Sequence, residues 1–235
     1  MTTMGKDAPA LFSFQGTPVK VEPAVAVYVA GLWGAMLWWA GRKDRERPWP
    51  VRLLAGSLAS LALLAADIGH ALAHVISARW AGTPMDHVLV SADMPRTIYP
   101  EDDVAPRTHI LRALGGPIFN AASLLVALVS RRLAPPGSLW RESLGWSAVG
   151  HGLILLGSLA PLPIVDGGVL LKWTLVDRGH SPQEADVVVR QAGLATGAAA
   201  VAAGATLSAQ RRWLVGLGLI ASGAVAVAAA LDKIR

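Results

Sequence analysis

A helix that crosses a hydrocarbon core of about 30 Å needs about 20 mostly apolar residues. This chain supplies such runs from one end to the other. They extend from Ala24 to Ala40, Leu53 to Val75, Ile110 to Leu128, Leu144 to Leu159, Ala192 to Leu207 and Leu214 to Leu231. A further apolar stretch, Gly168 to Val176, is too short to span and follows Pro161 and Pro163. Proline breaks a helix, so that stretch is expected to be a re-entrant half-helix. The expected fold is an α-helical polytopic membrane protein of about six transmembrane helices. Three regions follow: 1–52 with the first span and a basic loop, 53–178 as a core holding polar groups, and 179–235 as an Ala/Gly-rich helical pair.

Composition agrees and narrows the functions open to the chain. Apolar residues make up 53% and charged residues 16% of the sequence, against about 25% charged in a soluble domain. A disordered chain is excluded. The net charge of +5 comes from arginines at segment ends rather than from a basic face, so no nucleic-acid partner is expected. Absence of cysteine removes disulfides, thiolate-bound zinc and a cysteine nucleophile. The N-terminal stretch lacks a signal-peptide layout, so membrane insertion is expected to use the first span. Trp38, Trp39, Trp49, Trp80, Trp140 and Trp213 stand at segment ends, where an aromatic belt contacts lipid headgroups. Small residues in the last two runs suit close helix packing, but the pair reads as low-complexity filler around a functional core. Arg42, Lys43, Arg45, Arg47 and Arg52 crowd the first loop, which places the Arg42–Arg52 loop on the cytoplasmic side.

Ionisable side chains at membrane depth are costly and mark function by default. The second run reads ALLAADIGHALAHVISARW. At about 100° per residue, Asp67, His70 and His74 fall within a wedge of about 60°. Histidines at i and i+4 can direct ring nitrogens at one ion. Asp67 suits a further ligand, a partner for a histidine, or a proton acceptor; a polar stripe facing a neighbouring helix is the plainer alternative. Two other stretches carry polar groups. ALGGPIFNAA loosens the backbone at Gly115, Gly116 and Pro117 and projects Asn120 one turn later; helix packing explains it equally well. LAPLPIVDGGVLL puts Asp166 beside irregular backbone, as a buried carboxylate or as a helix cap. His151, two turns from Ser158, could point to the same place.

In this order the three stretches resemble the site-2 proteases, intramembrane zinc metalloproteases. That family carries H-E-x-G-H, a β-hairpin region, G-P-x-x-N and P-x-x-P-L-D-G-G, whose aspartate is a zinc ligand. Gly69–Ala73, Gly116-Pro117 with Asn120, and Pro161–Gly168 carry the resemblance, over roughly Leu53 to Trp173. It implies a hairpin within Gly82–Thr108, with a strand near Met85–Ala92, an acidic turn EDD, and an edge for a transmembrane protein substrate. It also implies zinc, with His70 and Asp166 as ligands and Asn120 as a supporting polar group.

The departures set the functional expectation. With the family's Gly-His on Gly69-His70, Ala66 replaces the first ligand and Asp67 the catalytic glutamate. That carboxylate is one methylene, about 1.5 Å, short of a metal-bound water. In a shifted alignment His70, His74 and Asp166 form the ligand set, with Asp67 or His151 beside them, and Ala71 replaces the glutamate. The expectation is a catalytically impaired relative, in a prokaryotic cell membrane, that binds membrane substrates or partners. An active protease using His70, His74 and Asp166, with Asp67 as base, is one alternative. A transport or proton-relay protein is the other.

Overall fold

The computed structural model describes residues 9–92, 94–100 and 103–232. Among them are seven helices and four short strands. In chain order these are β1 (Ala10–Phe14), β2 (Thr17–Val21), α1 (Val25–Lys43), α2 (Trp49–Trp80), β3 (His87–Val90) and β4 (Arg96–Ile98). Then come α3 (Pro106–Leu133), α4 (Leu139–Ser158), α5 (Asp166–Asp177), α6 (Pro182–Ala209) and α7 (Trp213–Ala230). Each expected apolar run is a helix. By length and composition α2, α3, α6 and α7 can each cross a membrane. The 19-residue α1 ends in Arg42 and Lys43, and the 20-residue α4 carries Arg141 and Glu142 in its first turn. Leu54, Leu61, Leu125, Leu153 and Leu214 are exposed, the surface that lipid rather than water accommodates.

The chain forms two compact units, Met1–Asp103 with Gly115–Leu155, and Val104–Leu114 with Leu156–Arg235. In the first, β1 and β2 pair antiparallel across Gln15 and Gly16, both at positive φ. Two such residues match the twist of a tight hairpin. β2 then runs parallel to β3, with Val19 opposite Val88, and β3 pairs antiparallel with β4. The sheet order is β1-β2-β3-β4. Val19, Val88 and Met85 close a buried cluster with Ala71, Val75 and Ala78 of α2. The Arg79 guanidinium donates to the Gln15 carbonyl, tying the end of α2 to the β1–β2 turn.

Two expectations are met with a refinement, and a third needs correction. The hairpin within 82–108 is present, but it belongs to a four-stranded sheet begun by the N-terminal hairpin. β3, the core of Met85–Ala92, is paired on both sides, so among the described residues the sheet's outer strands are β1 and β4. The acidic stretch at 101–103 follows β4 instead of closing the hairpin; Glu101 and Asp102 lie outside the described residues.

In the second unit, α5 begins where the chain leaves Pro161 and Pro163. A Cβ on Gly168 would lie 1.9 Å from the Leu162 carbonyl oxygen, and one on Gly167 would lie 2.3 Å from that of Ala160. The two glycines after Asp166 let the first turn of α5 pack on the preceding backbone. The α6–α7 pair is not filler. A Cβ on Gly204 would meet the Gly216 carbonyl oxygen at 2.5 Å, and one on Gly223 would meet that of Gly197 at 2.6 Å. The backbones approach through small residues, the packing available where lipid removes any hydrophobic drive.

Gly204→Val is therefore expected to lower stability by about 1–3 kcal/mol, the usual effect of overpacking. Thermal unfolding in detergent should show it. Gly218→Ala, where a Cβ meets nothing within 4 Å, should leave the midpoint unchanged or slightly raised.

Candidate metal centre

The first unit gathers four of the polar residues singled out in the sequence. α2 carries His70 and His74 one turn apart, with their Nε2 atoms 3.1 Å from each other. Their rings meet edge to face, with centroids 4.8 Å apart. α3 brings Asn120, which is fully buried, between two imidazoles. Its Nδ2 lies 3.0 Å from His70 Nδ1, and its Oδ1 lies 2.9 Å from Nδ1 of the buried His151 on α4.

Glycine makes this assembly possible. A Cβ on Gly116 would stand 2.4 Å from His70 Nε2 and 2.5 Å from His74 Nε2. One on Gly115 would stand 2.6 Å from the Ala73 carbonyl oxygen, and one on Gly69 would strike the Phe119 ring at 2.5 Å. The paired glycines let α3 lie against the histidine face of α2, and Asn120, one turn on, reaches the rings. Pro117 lies within α3 without ending it.

The amide also sets the proton positions. With Nδ2 donating to His70 Nδ1, neutral His70 carries its proton on Nε2 and can give it to His74 Nε2. With the amide turned by 180°, Oδ1 accepts from His70 Nδ1–H and the His70 Nε2 lone pair is released. Either orientation pairs both the His70 and the His151 nitrogen. Only the second gives His70 a ligand atom, in the usual arrangement where the far ring nitrogen of a metal-bound histidine donates to a fixed acceptor.

The site's chemistry suits zinc. Two imidazole nitrogens each 2.0–2.1 Å from a tetrahedral ion stand about 3.3 Å apart, close to the 3.1 Å separation here. Asp67, one turn before His70 on α2, has His70 and Tyr28 as electrostatic neighbours. Asp166 is the first residue of α5 in the second unit; Val165 occupies the cap position, so Asp166 is not the cap. Ala71, where the shifted alignment puts the catalytic glutamate, is buried in the cluster with Val19 and Val75.

Sequence reading found His70, His74 and Asn120, but not the direct Asn120–His151 link, nor Gly116 as the residue that admits both imidazoles. The Gly-Gly pair ahead of Pro117 was the available sign of close packing.

No family model matches the sequence, and no curated protein matches it. The structure is similar to the Site-2 Protease from Methanocaldococcus jannaschii, with a TM-score of 0.57 and 13% identity. The match covers 94% of this chain and 95% of that one. The chain therefore has a site-2-protease-like fold.

Replacing Asn120 with Ala strands two interior ring nitrogens. The expected loss is about 1–3 kcal/mol, the cost of an unsatisfied buried polar group, read as a lower thermal midpoint in detergent. Asn120→Asp should recover part of it, because one oxygen can still accept from an imidazole N–H.

Proposed function

We infer that this chain is a membrane protein that holds zinc without acting as an efficient protease, and that it works by binding membrane-embedded polypeptides. The observation that carries this reading is Ala71. It offers no carboxylate where the shifted alignment, the one that supplies both histidines, calls for a base, and it is packed against valines in an apolar cluster. A glutamate there would have to bury its charge, which costs several kcal/mol unless paired.

His70, His74 and Asp166 are side chains of the types that could hold a metal ion. Two imidazoles and a carboxylate are the three protein ligands usual in open zinc sites. A zinc ion bound there would supply Lewis acidity. The remaining work belongs to the chain. Asn120 orients His70, with Oδ1 accepting from its Nδ1–H in the metal-binding tautomer, and His151 holds the other end of the amide. Asp67 supplies a carboxylate on the same helix, shorter than glutamate and one turn away from the position after His70. An extended segment of a bound polypeptide can add to the outer edge of β4 by backbone hydrogen bonding.

Two measurements check this reading. The protein extracted from membranes should carry about one zinc per chain by elemental analysis. His74→Ala and Asp166→Ala should each lower that content at least tenfold, since loss of even an outer partner costs 10–100-fold in affinity. Zinc-loaded protein in proteoliposomes should retain a labelled single-span model peptide without cutting it. Cleavage that disappears in His74→Ala would instead establish the active protease with an altered ligand set.

A further inference from the structure

The end of the first unit where α1 and α3 finish and α4 begins carries a groove of about 470 Å³. One wall is apolar, built from Leu124, Leu128, Ala148 and Val149. Trp39 and Trp146 meet edge to face there, with centroids 4.8 Å apart. Lys43, Arg131 and Arg141 also line it, with Glu142 as the acidic member. Tryptophans beside cations are the signature of the headgroup layer.

The charges are unequally engaged. Glu142 Oε2 receives both Lys43 Nζ at 3.2 Å and an Arg47 nitrogen at 3.0 Å. One nitrogen of Arg141 donates to the Ala134 carbonyl at 3.0 Å. Among the described residues Arg131 has no ion-pair or hydrogen-bond partner; its Nε lies 3.2 Å from the position a Cβ on Gly145 would take. Glu142 Oε1 is buried and lacks a donor. The groove thus offers an excess of positive charge, one uncommitted guanidinium and one acceptor without its hydrogen bond.

We propose that this groove is a binding site for an anionic phospholipid with a hydroxylated headgroup. The phosphate pairs with Arg131 and Arg141, a headgroup hydroxyl donates to Glu142 Oε1, and an acyl chain lies along Leu124, Leu128 and Val149. Guanidinium recognises phosphate through paired N–H donors, and basic pockets between membrane helices hold acidic headgroups. A lipid lacking net charge would leave the cationic excess unmatched.

The full-length protein in neutral detergent tests this with phosphatidylglycerol and phosphatidylcholine, reading lipid retention by native mass spectrometry and the thermal midpoint. Phosphatidylglycerol should be retained preferentially and should raise the midpoint. Arg131→Gln should weaken its retention about fivefold, the effect of removing one cation near an acidic membrane surface. Arg132→Gln, outside the groove lining, should change it less than twofold. Gly145→Leu keeps every charge but crowds Arg131 and fills the groove; it should also abolish the preference, which guards against a folding defect in a single variant. Equal retention of the two lipids would overturn the proposal. So would equal losses in the Arg131 and Arg132 variants, or displacement by inorganic phosphate at the concentration of the lipid.

Discussion

Two imidazoles whose Nε2 atoms lie 3.1 Å apart need a neighbouring helix with no side chain at their level. Gly116 meets that need, since a methyl group there would overlap both rings. Much of the site follows from this contact. α3 can then lie against the polar face of α2, Asn120 one turn on can reach His70, and His151 can reach Asn120 from α4. A chain of hydrogen bonds across three helices pairs the interior nitrogens it links, which apolar surroundings make necessary. The orientation of the Asn120 amide goes with the His70 tautomer, and the tautomer decides whether His70 presents a lone pair.

The metal-ligand types and the place of a base are separate questions on helix α2. His70 and His74 share a face, whereas Ala71 is turned by about 100° into the cluster that seats the sheet. There Val19 and Val88 meet Ala71 and Val75, and the Arg79 bond to Gln15 closes the far end. One helix thus presents imidazoles on one side and builds the sheet's apolar support on the other. Alanine at position 71 serves the second role and leaves the first without a glutamate.

Much of this was legible in the sequence, for local reasons. Apolar runs gave the helices, because lipid tolerates few other segments. The i,i+4 histidines gave the shared face, and Gly-Gly-Pro with Asn120 and Asp-Gly-Gly after two prolines marked close backbone approaches. The first hairpin was missed. Its alternating residues around Gln15-Gly16 are interrupted by Pro18, which argues against an inner strand; the parallel ladder to β3 begins only at Val19, after the proline. The edge expected of the hairpin region is there, at β4, whereas β3 within Met85–Ala92 is covered by β2 of the N-terminal hairpin. The α6–α7 stripe looked like filler because composition does not state which glycines face a carbonyl. The Asn120–His151 bond depends on two helices meeting, and spacing along one helix carries no information about that.

X-ray absorption at the zinc edge, on protein loaded with one equivalent, reads whether His70 and His74 present nitrogens to one zinc ion. The expected spectrum has a shell of nitrogen and oxygen at 2.0–2.1 Å with the outer scattering of two imidazoles, reduced to one in His74→Ala. A hydrated ion with no imidazole scattering, or a spectrum that His74→Ala leaves unchanged, would contradict that shared ligation.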